Sequence, residues 1–225
     1  MRISQIVNYC MSLPKTVYIN IRCLGLCEGI KLPVFISYKV KLMRLKRSSI
    51  EINSEYKSRF MIKIGFNGTD EIASKKALLN LENGKLIFKG GCSIAEGCVI
   101  SVSNGGIIEF GRDFSANKNF FISCNNHISF GDDEMLGWNV TFFDANGHPV
   151  YREGKLKENT KPISIGNHVW IGSGAHILKG ANIPDGSIVA YGSLVTSELK
   201  EPDSIYGGVP AQFLQNGIKW KRHNG

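Results

Sequence analysis

Six residues near the C-terminal end of the chain, Ile165, Ile171, Ile177, Ile183, Val189 and Val195, stand six positions apart. Short residues follow the same beat four places on, at Val169, Ala175, Ala181, Ser187 and Ser193. A helix repeats its buried face about every 3.6 residues and a half-buried strand every second residue, so a period of six fits neither. It fits a hexapeptide β-helix, in which each repeat supplies one short strand and stacked coils bury a common core.

The beat organises the chain. It begins at Ile64-Gly65, Phe88, Ile94 and Ile100, and resumes at Phe110-Gly111, Ala116 and Ile122. After a slip it resumes again at Phe130-Gly131, Leu136-Gly137 and Phe142. The slips predict small corner loops in a coil that is rougher early and most regular late. Glycines at the corners are expected to serve positive φ. From Phe142 to Ile165 the gap is not a multiple of six, so a loop over 144–162 is inserted there. Long loops on a rigid solenoid are where function concentrates. The expected architecture is all-β: a parallel β-helix over 61–200, with a basic irregular or helical cap over 1–60. Residues 201–225 are expected to form a turn and a tail, with a short C-terminal helix or arm. Caps are needed because an open coil exposes strand edges.

With 225 residues, 43% of them hydrophobic, the chain can bury one large core. It has no apolar run of about 18 residues and no signal-like start, and its six cysteines form no CxxC pair. Free thiols without an export signal lead us to expect a reducing cytoplasm. Residues 1–60 hold eleven Lys or Arg against three acids; the rest hold sixteen of each. The whole excess of +8 therefore lies in the first quarter. One reading is a solvated face. The other is a patch facing an anionic surface, such as the inner membrane leaflet or a phosphate-linked acceptor. No nucleic-acid motif accompanies the charge, so nucleic acid is not an expected partner.

Chemistry centres on His148, in the inserted stretch Asp144-Ala145-Asn146-Gly147-His148-Pro149. A neutral imidazole accepts a proton from an alcohol near neutral pH. Asp144 or Asn146 is placed to hold its other nitrogen. The plainer alternative is a solvated histidine before a proline. His168 and His176 fall off the core positions, His127 precedes a strand, and His223 is in the tail. Their spacing gives no close ligand pair, so no metal is expected. Trp170, and Trp138 beside Asn139, occupy outward positions where a neighbouring subunit or a ligand would cover them. No P-loop or dinucleotide fingerprint is present.

Three stretches in order, LGWNVTFFDANGHPV, PISIGNHVWIGSGAHILKGANIPDGSIVAYGSLVT and YGGVPAQFL, resemble the hexapeptide-repeat acyltransferases. The closest likeness is to sugar O-acetyltransferases of bacterial surface-polysaccharide clusters, and it covers roughly residues 86–218. The leader KTVYINIRCLGLCEGIKLPVFI is similar more loosely. The resemblance implies a left-handed coil and a homotrimer with sites at the subunit boundaries. It implies acetyl-CoA as co-substrate, a sugar or glycan acceptor, and His148 as general base in direct transfer. It also implies that the backbone N–H at Ser173 holds the oxyanion, that Trp170 borders the pantetheine or acceptor, and that Tyr191 and Thr196 contact CoA. Trp138, Asn139 and Asn146 would then face the acceptor.

Three positions depart from the family pattern: Tyr191 brings a ring into the groove, and Ser197 and Gln212 replace basic residues. Phosphate contacts would then come from Lys179 or from Lys219, Lys221 and Arg222. Other classes fit parts of the pattern: an N-acetyltransferase on an amino-sugar nucleotide, a non-enzymatic solenoid, or a metal-dependent β-helix enzyme of the carbonic anhydrase type.

Overall fold

The structure, a computed structural model, describes residues 3–222. The chain winds into a three-sided prism whose faces are parallel sheets. Among the described residues the first face runs from Val34–Ile36 to Ile205–Gly208, the second from Lys41–Met43 to Leu194–Val195, and the third from Ile50–Ile52 to Asn182–Ile183. Stacked strands take register at equivalent positions, so each coil lays its inward side chains on those of the coil below. Trp170 pairs with Ile188, Ser164 with Asn182 and His176 with Leu194, each eighteen residues apart, or three hexapeptides per coil. Earlier coils are longer: Ser115 pairs with Met135 and Cys92 with Phe114, twenty and twenty-two residues apart.

The core is the inside of the prism. On the third face Phe88 stacks on Phe110 at 5.0 Å and Phe110 on Phe130 at 5.5 Å, with Phe114 edge-on to two of the rings. This aromatic column fills the wider early coils, where a six-residue period of aliphatic side chains alone would leave voids. Cys92 and Cys98 are small inward residues, and burial pushes the Cys98 thiol up to about 12.

The coil begins earlier than residue 61. Val34–Ile36 already pairs in parallel with Ile62–Ile64, and Ile50–Ile52 with Leu86–Phe88. A long corner over 66–77 lies inside the second coil, between Ile62–Ile64 on the first face and Leu78–Leu81 on the second, and it interrupts the beat in the sequence. Ahead of the prism lie helix α1 (Ile3–Leu24) and a short helix α2 (Leu26–Gly29). Helix α1 seals the open edge of the first coil with side chains at i, i+4 and i+8. Tyr38 donates to Ser12 Oγ, Ile36 donates to Thr16 Oγ1, and the Asn20 amide bonds both backbone groups of Val34. Lys15 adds bonds to the Tyr38 and Val40 carbonyls.

Of the two expected forms for the C-terminal end, helix or arm, the structure takes the arm. In place of a helix, Ala211–Gln215 turns back antiparallel on Ile205–Gly208, so the last edge is covered by strand pairing. The corner glycines also divide into two kinds. Gly186 has φ +70 as expected, but Gly131 does not take positive φ; a Cβ there would lie 2.3 Å from the Gly166 carbonyl oxygen. Close stacking of coils, not φ, requires glycine at that corner.

Candidate active site

The inserted residues form an arm on the edge between the second and third faces. Asp144 is its root. The carboxylate is fully buried and accepts the backbone N–H groups of Asn125 and Asn126, both at 2.8 Å, and the Cys124 thiol at 3.2 Å. Burial, and after it the Asp144 charge, push the Cys124 thiol well above its usual range. The Asp144 carbonyl accepts from Lys161 and Asn146 donates to Asn159, tying the two sides of the arm together. Tyr151–Arg152 then pairs antiparallel with Lys155–Leu156 across Glu153-Gly154, whose φ values of +52 and +72 make a hairpin turn of the primed type.

His148 sits on this arm, exposed, and makes no hydrogen bond among the described residues. The expectation that Asp144 orients the ring is corrected: both of its oxygens are committed to Asn125, Asn126 and Cys124, so it anchors the arm instead. Asn146 lines a cleft of 630 Å³ behind the arm, together with Thr196, Lys157, Lys161 and Lys179. Lys157 and Lys161 were not singled out by sequence reasoning. Their signal was the run of lysines in the insert, which became spatial only once the hairpin folded back on the coil. Three ammonium groups against one carboxylate, Glu158, make this cleft suited to a polyphosphate.

Trp138, Asn139, Ser173 and Tyr191 lie on another edge, between the first and second faces. Ser173 Oγ accepts the Trp138 N–H at 3.2 Å, the Trp138 carbonyl accepts from Gly174, and Gly192 donates to the Ser173 carbonyl. The Ser173 N–H itself has no acceptor among the described residues. Tyr191 is 74% exposed and its ring leans toward Gly174. Asn139 is a left-handed corner residue at φ +56 whose Oδ1 accepts from Asn119, which accounts for it without a ligand. Within one protomer, then, His148, Asn146 and Thr196 share one edge, while Trp138, Ser173 and Tyr191 share the next.

The third edge is covered by the chain's own tail. The Trp220 ring stacks on His168 at 4.0 Å and its Nε1 donates to the His168 carbonyl. His168 bonds Asp133, which also binds Arg222. Burial pulls the Asp133 carboxyl upward, but the bonds from His168 and Arg222 outweigh it and hold it below its usual value. Trp170, 38% exposed, lies 6.2 Å from Trp220, so part of its cover comes from this tail. Arg222 is spent on Asp133, Ser115 and two carbonyls, which leaves it unsuited to a phosphate. His223 lies outside the described residues. Among the described residues, no group of three or more His, Cys, Asp or Glu is placed to hold a metal.

Comparison with known proteins gives consistent likenesses. No protein-family profile matches the chain. The galactoside O-acetyltransferase of Escherichia coli K12 is 38% identical over 117 residues, half of this chain and 56% of that one. The polysialic acid O-acetyltransferase of Neisseria meningitidis is 29% identical over 133 residues, 58% and 59% of the two chains. The match thus spans a little over half the length of these relatives. Among solved structures, the polySia-specific acetyltransferase NeuO superposes with a TM-score of 0.53 at 23% identity, over 84% of this chain and 90% of that one. The polysialic acid O-acetyltransferase OatWY gives 0.51 at 22%, over 82% and 89%. The fold is the left-handed parallel β-helix, and the relatives are hexapeptide-repeat O-acetyltransferases.

Proposed function

We propose that this chain, a relative of the hexapeptide-repeat O-acetyltransferases, moves an acetyl group from acetyl-CoA to a sugar hydroxyl. The observation that carries the reading is the division of the candidate residues between two edges of one prism. An edge bearing His148 and an edge bearing the unpaired Ser173 N–H make a complete site only when one copy's arm edge meets the next copy's Ser173 edge. Such a head-to-tail contact closes into a ring, and a three-sided prism with one edge already covered by its tail suits a homotrimer. An exposed imidazole with no internal partner is what an arm contributing to a neighbour's site requires.

In the assembled site, His148 takes the proton of the acceptor hydroxyl as that oxygen attacks the thioester carbonyl carbon. The developing oxyanion accepts the Ser173 N–H of the adjoining copy. Collapse breaks the C–S bond, and the imidazolium returns its proton to the CoA sulfur, leaving the ester and free thiol. Lys157, Lys161 and Lys179 hold the CoA phosphates, with Thr196 and Asn146 on the same wall, and the exposed Tyr191 ring narrows the acyl end of the groove. The acceptor is a sugar of a surface glycan, and the setting is the cytoplasm.

The test is thiol release from acetyl-CoA in the presence of candidate glycans, with mass spectrometry of the acceptor. His148→Ala is expected to lower kcat by about 10²–10⁴-fold without changing Tm. Full activity in that variant refutes the base. Lys157→Ala with Lys179→Ala is expected to raise the KM for acetyl-CoA and leave kcat nearly unchanged. No thermal stabilisation at millimolar CoA would favour a non-enzymatic solenoid.

A further inference from the structure

Helix α1 buries Ile19 and Cys23 in the core, yet its opposite side is apolar too, which packing on its own domain does not require. Its inward side spends Ser12, Lys15, Thr16 and Asn20 on the backbone of the first coil. Its outward side carries Ile6, Val7, Met11, Val17, Tyr18 and Ile21, each between 40% and 55% exposed. At about 100° per residue these six fall within an arc of about 140° that contains no charged residue. The stripe continues onto α2, where Leu26 is 71% exposed, and just past it, where Ile30 is 70% exposed. A contiguous apolar surface of this kind is covered by something in use.

Charge selects the cover. Arg22 lies beside the stripe and is exposed, and the exposed Arg47 sets its guanidinium against Gly25, between α1 and α2. The first 60 residues hold the entire net charge of the chain, +8. A second copy of this face would bring like charges together, whereas an anionic bilayer would pair with them. No helix among the described residues is long and apolar enough to cross a membrane, which leaves a helix lying in the interfacial plane. We propose that α1 and α2 dock this protein on an anionic membrane surface, with the Ile6–Ile21 stripe among the acyl chains and Arg22 and Arg47 at the headgroups. Attachment would hold the prism by its N-terminal end, away from the arm that carries His148. The docking stands whether or not the chain is an acetyltransferase.

The experiment is cosedimentation of the full chain with phosphatidylcholine vesicles, with and without phosphatidylglycerol. The wild type is expected to pellet with the mixed vesicles, far less with phosphatidylcholine alone, and less as salt rises. Val17→Asp with Ile21→Asp is expected to lower partitioning at least about tenfold while the circular dichroism and molar mass stay unchanged. Arg22→Ala and Arg47→Ala are each expected to lower it about fivefold. Should the α1 variant fail to fold, Leu26→Asp with Ile30→Asp carries the same expectation. Equal pelleting with and without phosphatidylglycerol, or undiminished binding by a folded variant, overturns the proposal. So does a folded variant that changes the oligomer, since the stripe would then be a subunit contact.

Discussion

Asn20 takes both backbone groups of Val34: its Nδ2 donates to the Val34 carbonyl at 2.6 Å, and its Oδ1 accepts the Val34 N–H at 3.1 Å. One side chain thus stands in for a missing strand at the edge of the first coil. Asn20→Ala leaves two fully buried backbone groups unpaired and is expected to cost about 2–4 kcal/mol. Urea unfolding measures it; a cost within error of zero would mean that water, not α1, satisfies this edge.

Asp144 has the same kind of role on the arm. Asp144→Ala strands the Asn125 and Asn126 N–H groups and is expected to cost about 2–3 kcal/mol in denaturant unfolding. If transfer falls as well, it should fall because the arm loses its root. Asp144→Asn, which keeps one acceptor, should then recover part of both losses. A variant that loses all transfer with unchanged stability would restore Asp144 as a partner of the imidazole.

Glu134 sets a pH dependence. It is fully buried, its Oε1 receives only the Val169 N–H at 3.4 Å, and its Oε2 has no partner. Burial raises its pKa well above the carboxylate range; nearby Arg222 opposes this, while Asp133 and Asp185 add to it. A group whose folded pKa is raised favours folding while protonated. Its contribution is fully present below the unfolded value, about 4.3, and is lost as pH climbs through the raised folded value. Glu134→Gln is expected to flatten this slope and raise Tm above pH ~7, by about 2–4 °C for each kcal/mol gained. Tm measured from about pH 5 to 8 decides it; parallel slopes for the two proteins would exclude Glu134 as the source.

Phe110 is the middle ring of the aromatic column, stacked between Phe88 and Phe130. Phe110→Ala is expected to cost about 3–5 kcal/mol, while Phe110→Leu, which leaves a smaller void, costs less. Gly131→Ala should cost about 1–3 kcal/mol, since the added methyl meets backbone that cannot move without shifting a coil. Chemical denaturation of the three variants checks the order.

The prism was legible in the sequence wherever one coil equals three hexapeptides, as from Ser164 onward. It was illegible over 34–60, because the strands there begin at Val34, Lys41, Ile50 and Ile62, seven, nine and twelve residues apart, so no six-residue period forms. The arm was legible as an insertion, but its hairpin at Glu153-Gly154 was not predicted. Nor was the role of Asp144: adjacency in sequence suggested His148, while its partners Asn125 and Asn126 come from the coil below. Likewise, nothing local marks Trp220 and Arg222 as a strap for His168 and Asp133, since that contact spans much of the chain. Ser12, Thr16 and Asn20 read as ordinary polar positions until the strand edge they serve is known.

The two ends of the solenoid are sealed by unlike means, side chains of a helix at one and a reversed strand at the other. A stack of identical hydrogen-bonding layers has no inherent length, and one prism could otherwise template the next without limit. Here each terminus presents a layer that a further coil cannot match. The seals therefore make the particle finite, leaving sideways association through the prism edges as the open route to assembly.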